Sequence, residues 1–181
     1  MTPFRRIATP MALAGLIAVS ATGAALAANS GATARIVNAA GAEVGTATLA
    51  EGPDGVLVTI AVSGLTPGWH GAHLHEFGVC GADGFKAAGA HMGHHTGGSH
   101  GLLSPAGSEP GDLPNLYAGV DGTATVEVFT DRVTLDPTKA SGARLLIREG
   151  AVVVHASRDD QLSQPIGGSG ARVACGVIKS N

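Results

Sequence analysis

Two histidines one residue apart, His73 and His75, stand in the short stretch Gly71-Ala72-His73-Leu74-His75. On a strand, that spacing sends both imidazoles to one face, aimed at a common point. His91, His94, His95 and His100 follow, so six of the eight histidines lie between His73 and His100. Glu109 and Asp112 come next, and His155 closes the apolar run Val152-Val153-Val154 far down the chain. Clustered imidazoles suit copper and zinc, and a set that mixes imidazole with carboxylate suits zinc better. An isolated His-x-His pair means little, since two exposed strand histidines are common. The whole set in one small chain points to a metal centre.

Such ligands need strands to aim them, and the sequence is rich in short strand signals and poor in helix signals. Val56, Val58, Ile60 and Val62 alternate with Leu57, Thr59, Ala61 and Ser63, and a similar alternation runs through residues 123–129. Further strands are predicted at 33–38, 46–50, 71–75, 143–148, 151–155 and 172–178, with Glu149-Gly150 read as a tight hairpin turn. About eight short strands separated by turn signals predict an all-β sandwich or closed barrel. Between Cys80 and Leu116 the chain is dense in Gly, His, Pro and Ser and has no period. A loop of that length in a compact domain is usually functional, and metal is the obvious agent to hold it together.

The first residues read as a leader. Arg5 and Arg6 precede an apolar run from Met11 to Val19, and Ala25-Leu26-Ala27 fits the A-x-A cleavage pattern of a secretory signal peptide. The run is too short and too rich in Gly and Ala for a membrane span. The Arg pair is a weak hint of twin-arginine export. Residues 1–27 are thus read as signal peptide and 28–181 as one domain with no membrane anchor. Without the two leader arginines, 9 basic residues face 14 acidic ones, a net charge of −5 with His neutral. That charge gives no general attraction to nucleic acid or anionic lipid, and an anionic substrate needs locally placed positive charge. Cys80 and Cys175 both fall in the exported part, where a disulfide is the expected state.

The motifs also resemble a known family. Residues 71–78, from Gly71 to Gly78, are similar to the copper-binding strand of copper–zinc superoxide dismutases, and Phe85–His91 to the segment bearing their bridging His. Gly111-Asp112-Leu113-Pro114-Asn115-Leu116-Tyr117 resembles the zinc-loop segment with its Asp ligand, and Val152–Asp160 the last copper ligand with its downstream Asp. Gly170–Ile178 resembles the C-terminal signature. The resemblance implies an eight-stranded Greek-key barrel with long metal-binding loops. It implies copper on His73, His75, His91 and His155, and zinc on His91, His100 and Asp112, with His91 bridging. Asp159 would link a copper His to a zinc His, Arg172 would dock superoxide, and His70 would bond backbone carbonyls near copper. Cys80 and Cys175 would form the intrasubunit disulfide. Exported relatives include monomers and dimers, so a homodimer is compatible with the resemblance, and a periplasmic location follows from the leader.

One family position is altered. The third zinc His, expected three residues before the Asp, is Glu109 here. Three outcomes stay open: Glu109 ligates zinc, it is a solvated loop residue while His94 or His95 moves in, or the zinc site is weak or empty. Trp69 and Tyr117 read as packing residues. The activity implied is superoxide dismutation, set against a non-catalytic copper-buffering protein and a copper-only dismutase lacking zinc. An anion-docking Arg172 is of no use to a copper store, and the retained His91, His100, Asp112 and Asp159 argue against loss of zinc.

Overall fold

The computed structural model describes Met1, residues 31–147 and residues 149–181; the leader and its cleavage point lie outside the described residues. Eleven strands are present among them: β1 Gly31–Asn38, β2 Glu43–Glu51, β3 Val56–Val62, β4 Gly68–His70, β5 Ala72–His75, β6 Leu116–Ala118, β7 Ala124–Thr130, β8 Val133–Thr134, β9 Leu145–Leu146, β10 Ala151–His155 and β11 Arg172–Ser180. Seven form one curled sheet in the order β5-β10-β11-β1-β2-β3-β7, and β4 pairs with β6. Strands β4 and β5 are one strand interrupted at Gly71. Strand β6 runs into β7 through a turn closed by Gly119 N–H to Thr123 O at 2.9 Å. The two edges thus meet, and eight strands close into a Greek-key barrel with β8 and β9 as a short accessory pair.

The alternation predicted for residues 56–63 is realised: Val56, Val58, Ile60 and Val62 are buried against Ile36, Leu49, Leu74, Leu116 and Val152 inside the barrel. Strand β10 is buried on both faces. Val152 and Val154 point into the core, while Ala151 and Val153 pack outside it under Phe85, Ala88 and Cys175. A continuous apolar run is what a strand covered on both sides requires.

Two expectations need correction. Of the strand expected at 143–148, whose last residue lies outside the described ones, residues 143–147 contribute only β9, which pairs in parallel with β8, so the described residues form no hairpin at Glu149-Gly150. Strand β10 has both edges taken, by β5 and β11, so no edge is left for its predecessor. Trp69 and Tyr117, directly paired across β4 and β6, are half exposed and pack edge-to-face on each other at 5.0 Å, outside the core.

Candidate metal centre

Register explains how the strands deliver the histidines. In β5 and β10, Leu74 pairs with Val152 and points inward, so His73, opposite Val153, and His75, opposite Ala151, point outward. They are nonetheless fully buried, because the long loop covers them. Met92 N–H donates to Leu74 O at 2.8 Å, Leu74 N–H to Gly111 O at 2.9 Å, and Gly111 N–H to Met92 O at 2.9 Å. The loop therefore lays two segments, one carrying His91 and one carrying Asp112, across the outer face of β5. A side chain at Gly111 would collide with Leu74 O, which is why glycine stands there. At the end of β10 the register shifts between Val154 and His155, turning His155 toward the same outer face.

Donor atoms of His73, His75, His91 and His155 lie within 4.8 Å of one another. Four buried ring nitrogens, Nδ1 of His73 and Nε2 of His75, His91 and His155, have no hydrogen-bond partner among the described residues. Orphaned buried donors and acceptors are costly, and four in one place fit a bound cation. The opposite nitrogens are fixed: His73 Nε2 to Asp159 Oδ2 at 2.7 Å, His75 Nδ1 to Gly89 O at 3.0 Å, and His155 Nδ1 to Ser169 Oγ at 3.1 Å and Gly170 O at 3.2 Å. Each ring is thereby held with its bare nitrogen toward the cluster, as metal-bound histidines are.

The other nitrogen of His91 opens a second cluster. His91 Nδ1 lies 3.2 Å from His100 Nδ1, 3.3 Å from Asp112 Oδ1 and 3.1 Å from Glu109 Oε2, and His100 Nδ1 lies 3.0 Å from Asp112 Oδ1. Ligands 2.0–2.1 Å from a tetrahedral zinc stand about 3.3 Å apart, so these spacings match such a site. Glu109 is 1 % exposed and so no solvated loop residue, and its Oε2 accepts no hydrogen bond despite the nearby His91 Nδ1. His73 also lies within 4.8 Å of His91, His100 and Asp112 donors. Its Nε2 is spent on Asp159 and its Nδ1 belongs to the first cluster, so the fourth place is open, and Glu109, which approaches the cluster at His91 Nδ1, is the candidate for it. His94 and His95 are exposed and do not enter the cluster.

Asp159 joins the two clusters, with Oδ2 on His73 and Oδ1 on His100 Nε2 at 3.0 Å. Asn115 fixes its backbone from both sides, at 2.8 Å each. Gly167, at φ 58°, lies against this carboxylate, where a side chain would overlap Oδ1. His70 reaches His155 O at 2.7 Å and Thr66 O at 2.8 Å and points at neither cluster. Arg172 is pinned by Phe85 O and Gly89 O, both at 2.6 Å. Gly89 O also receives His75 Nδ1–H, which ties the guanidinium to the first cluster through one carbonyl. The Cys80–Cys175 disulfide anchors the same loop to β11 across 95 residues.

The family model for copper/zinc superoxide dismutase matches residues 43–178. The chain belongs to the copper/zinc superoxide dismutase family. That makes it an oxidoreductase acting on superoxide, with copper and zinc as cofactors. A Cu-Zn superoxide dismutase of Caulobacter vibrioides is 51 % identical over 153 residues, covering 82 % of this chain and 85 % of the relative. One from Aquifex aeolicus is 40 % identical, covering 81 % and 85 %. Among solved structures, a double mutant of a superoxide dismutase-like protein from Bacillus subtilis aligns with a TM-score of 0.73 at 36 % identity, covering 80 % of this chain and 95 % of that one. The Cu/Zn superoxide dismutase from Brucella abortus aligns at 0.64 and 32 % identity, covering 82 % and 99 %.

In this family member the two clusters carry opposite electrostatics. Burial pulls His73, His75 and His155 down from the usual 6.5 to about 4, 2 and 3, leaving neutral imidazoles ready to bind metal. Burial acts in the same direction on His91 and His100, but Asp112 outweighs it, joined by Glu109 at His91 and by Asp159 at His100. His91 is raised, and His100 is raised to about 10. Asp112 and Asp159 are held well below the usual carboxylate range despite burial, by hydrogen bonds to His100 with His91 and with His73 respectively.

Stability of the metal-free protein then depends on pH in a definite sense. Below ~6.5 the unfolded chain protonates the three depressed histidines while the folded chain does not, so stability falls with acid. Above ~6.5 the folded chain keeps protons on His91 and His100 that the unfolded chain has released, so stability also falls with alkali. Chemical unfolding of the metal-free, disulfide-intact protein from pH 4 to 9 is expected to show a maximum near pH ~6.5. A steady rise from pH ~6.5 to 9 would contradict these partners.

Sequence reasoning overlooked the positioning groups around the ligands: Asn115, Gly167, Ser169 and the carbonyls of Gly89 and Gly170. Asn115 lies in a motif already singled out and was within reach of that reading. The others act through backbone or through contacts between distant loops, for which the sequence carries no periodic signal.

Proposed function

We propose that His73, His75, His91 and His155 hold copper and that His91, His100, Glu109 and Asp112 hold zinc, in an enzyme that dismutates superoxide. Two superoxide anions and two protons give one dioxygen and one hydrogen peroxide. When bound, copper supplies the one-electron oxidation and reduction, and zinc fixes the shared imidazole. The observation that carries this reading is the set of four partnerless buried nitrogens facing one point, one of them on a ring whose other nitrogen faces the second cluster.

The protein's own residues do the rest. Arg172 places a fixed positive charge beside the first cluster in a net-negative chain, which attracts and orients a small anion. Its two short bonds to loop carbonyls hold the guanidinium still, so little order is lost when the anion arrives. His91 Nε2 would hold a proton whenever it is not committed to copper and would deliver it to the reduced oxygen, while Nδ1 stays committed to the zinc cluster. Asp159 keeps His73 and His100 oriented throughout. The Ala25-Leu26-Ala27 pattern and the disulfide support a periplasmic location.

Replacing Arg172 by Ala is expected to leave copper bound and to lower the dismutation rate roughly 10- to 100-fold at low salt. The remaining rate should lose most of its dependence on ionic strength. An unchanged rate at low ionic strength would remove Arg172 from anion docking.

A further inference from the structure

We propose that His94 is a positioning residue of the zinc site: it holds one oxygen of Glu109 so that the other alone faces the metal. The inference rests on the reading of Glu109 as a zinc ligand. Glu109 divides its carboxylate between two partners. Oε1 receives Nδ1–H of His94 at 2.5 Å, while Oε2 lies 3.1 Å from His91 Nδ1 and accepts no hydrogen bond.

Asp112 is arranged in the same way. Its Oδ1 faces His91 and His100, and its Oδ2 receives the backbone N–H of Gly101 at 2.7 Å and of Glu109 at 2.9 Å. Both carboxylates thus present one oxygen and have the other occupied by a donor. For Asp112 the donors are backbone amides; for Glu109 the donor is the His94 side chain. A tetrahedral zinc takes one oxygen from each carboxylate, and a carboxylate with both oxygens free can swing to chelate or admit water. Donors behind a ligand typically contribute 10- to 100-fold in metal affinity.

Local backbone makes the contact possible. His94 N–H donates to His91 O at 3.0 Å, and Asp112 N–H donates to Glu109 O at 3.0 Å. Each closes a four-residue turn, the first with His91 at its start and the second with Glu109 and Asp112 at its two ends. Gly93, at φ 85°, lets the first turn pack on the second, since a side chain there would collide with the ring of Pro110. His94 therefore comes to Glu109 from the same turn that carries His91. Its side chain is 40 % exposed while Glu109 is 1 % exposed, so His94 closes the site from the solvent side.

The test is zinc affinity of the metal-free, disulfide-intact protein, measured by competition with a chromogenic chelator, with copper affinity measured alongside. His94→Ala is expected to weaken zinc roughly 10- to 100-fold and leave copper within a few-fold of the unaltered protein. In His94→Asn, Nδ2 occupies the place of the ring Nδ1, so zinc affinity should return most of the way. In a Glu109→Ala background, His94→Ala should add almost nothing, because its route to zinc is already gone. If Glu109→Ala weakens zinc but His94→Ala does not, or if the two losses simply add, His94 does not act through Glu109 and the inference falls alone. If Glu109→Ala itself leaves zinc affinity unchanged, the reading of Glu109 as a ligand falls, and the inference with it.

Discussion

Alanine in place of His75 is expected to cost at least about 100-fold in superoxide dismutation, more than the loss of a group behind a ligand. His75 has a single free nitrogen, Nε2, and its other nitrogen is fixed on Gly89 O. No neighbour can replace it: His73 and His155 already face the cluster, and His94 and His95 lie outside it. Burial of the ring is complete, so alanine also leaves a hole under the loop on the outer face of the sheet, beside Ala151. The zinc cluster does not contain His75 and should still fill. Copper and zinc contents of the purified variant, together with its rate of superoxide loss, check this. Retention of full activity would remove His75 from the copper set.

Serine at both Cys80 and Cys175 is expected to be the most destabilising change outside the metal ligands. In the chain-entropy account, a link closing a loop of this size is worth about 4 to 5 kcal/mol. The two cysteines are 95 residues apart. For a domain of this length that loss lowers the thermal midpoint by roughly 10 to 20 °C. The effect should reach the site as well. The disulfide and the packing of Phe85 and Ala88 hold the segment whose carbonyls pin Arg172 and His75. Activity per bound copper is therefore expected to fall along with stability. Thermal unfolding of the metal-loaded variant beside the unaltered protein tests it, and midpoints within 2 °C of each other would contradict the anchoring role.

How far the sequence could be read depends on which interactions are local. Strand β3 was legible because alternation is a property of neighbouring residues facing a single core. The pair His73 and His75 was legible for the same reason, since spacing on a strand fixes direction. Strand β9 was misjudged because its partner is decided by which edges remain open once the barrel has closed. Residues 145–146 hold no record of that. The metal loop is the opposite extreme: its segments are held by Gly111, Met92 and Leu74 backbone groups and by a disulfide, none of which leaves a period. Glu109 was open between three fates from sequence; its burial rules out the solvated loop residue, and its 3.1 Å approach to His91 Nδ1 supports the ligand role proposed for it. His94 stood in the sequence only as a possible replacement for Glu109, and it is exposed; its contact with a carboxylate fifteen positions away is a product of two turns meeting.

In the proposed centre one imidazole, His91, joins a copper site to a zinc site, and the pair consumes superoxide. The most direct measurement is superoxide decay followed spectroscopically while copper is titrated into metal-free protein already loaded with one equivalent of zinc. Activity is expected to rise in proportion to copper and stop at one equivalent per chain. Copper taken up tightly with no gain in superoxide consumption would contradict the account and leave a copper-holding protein in its place.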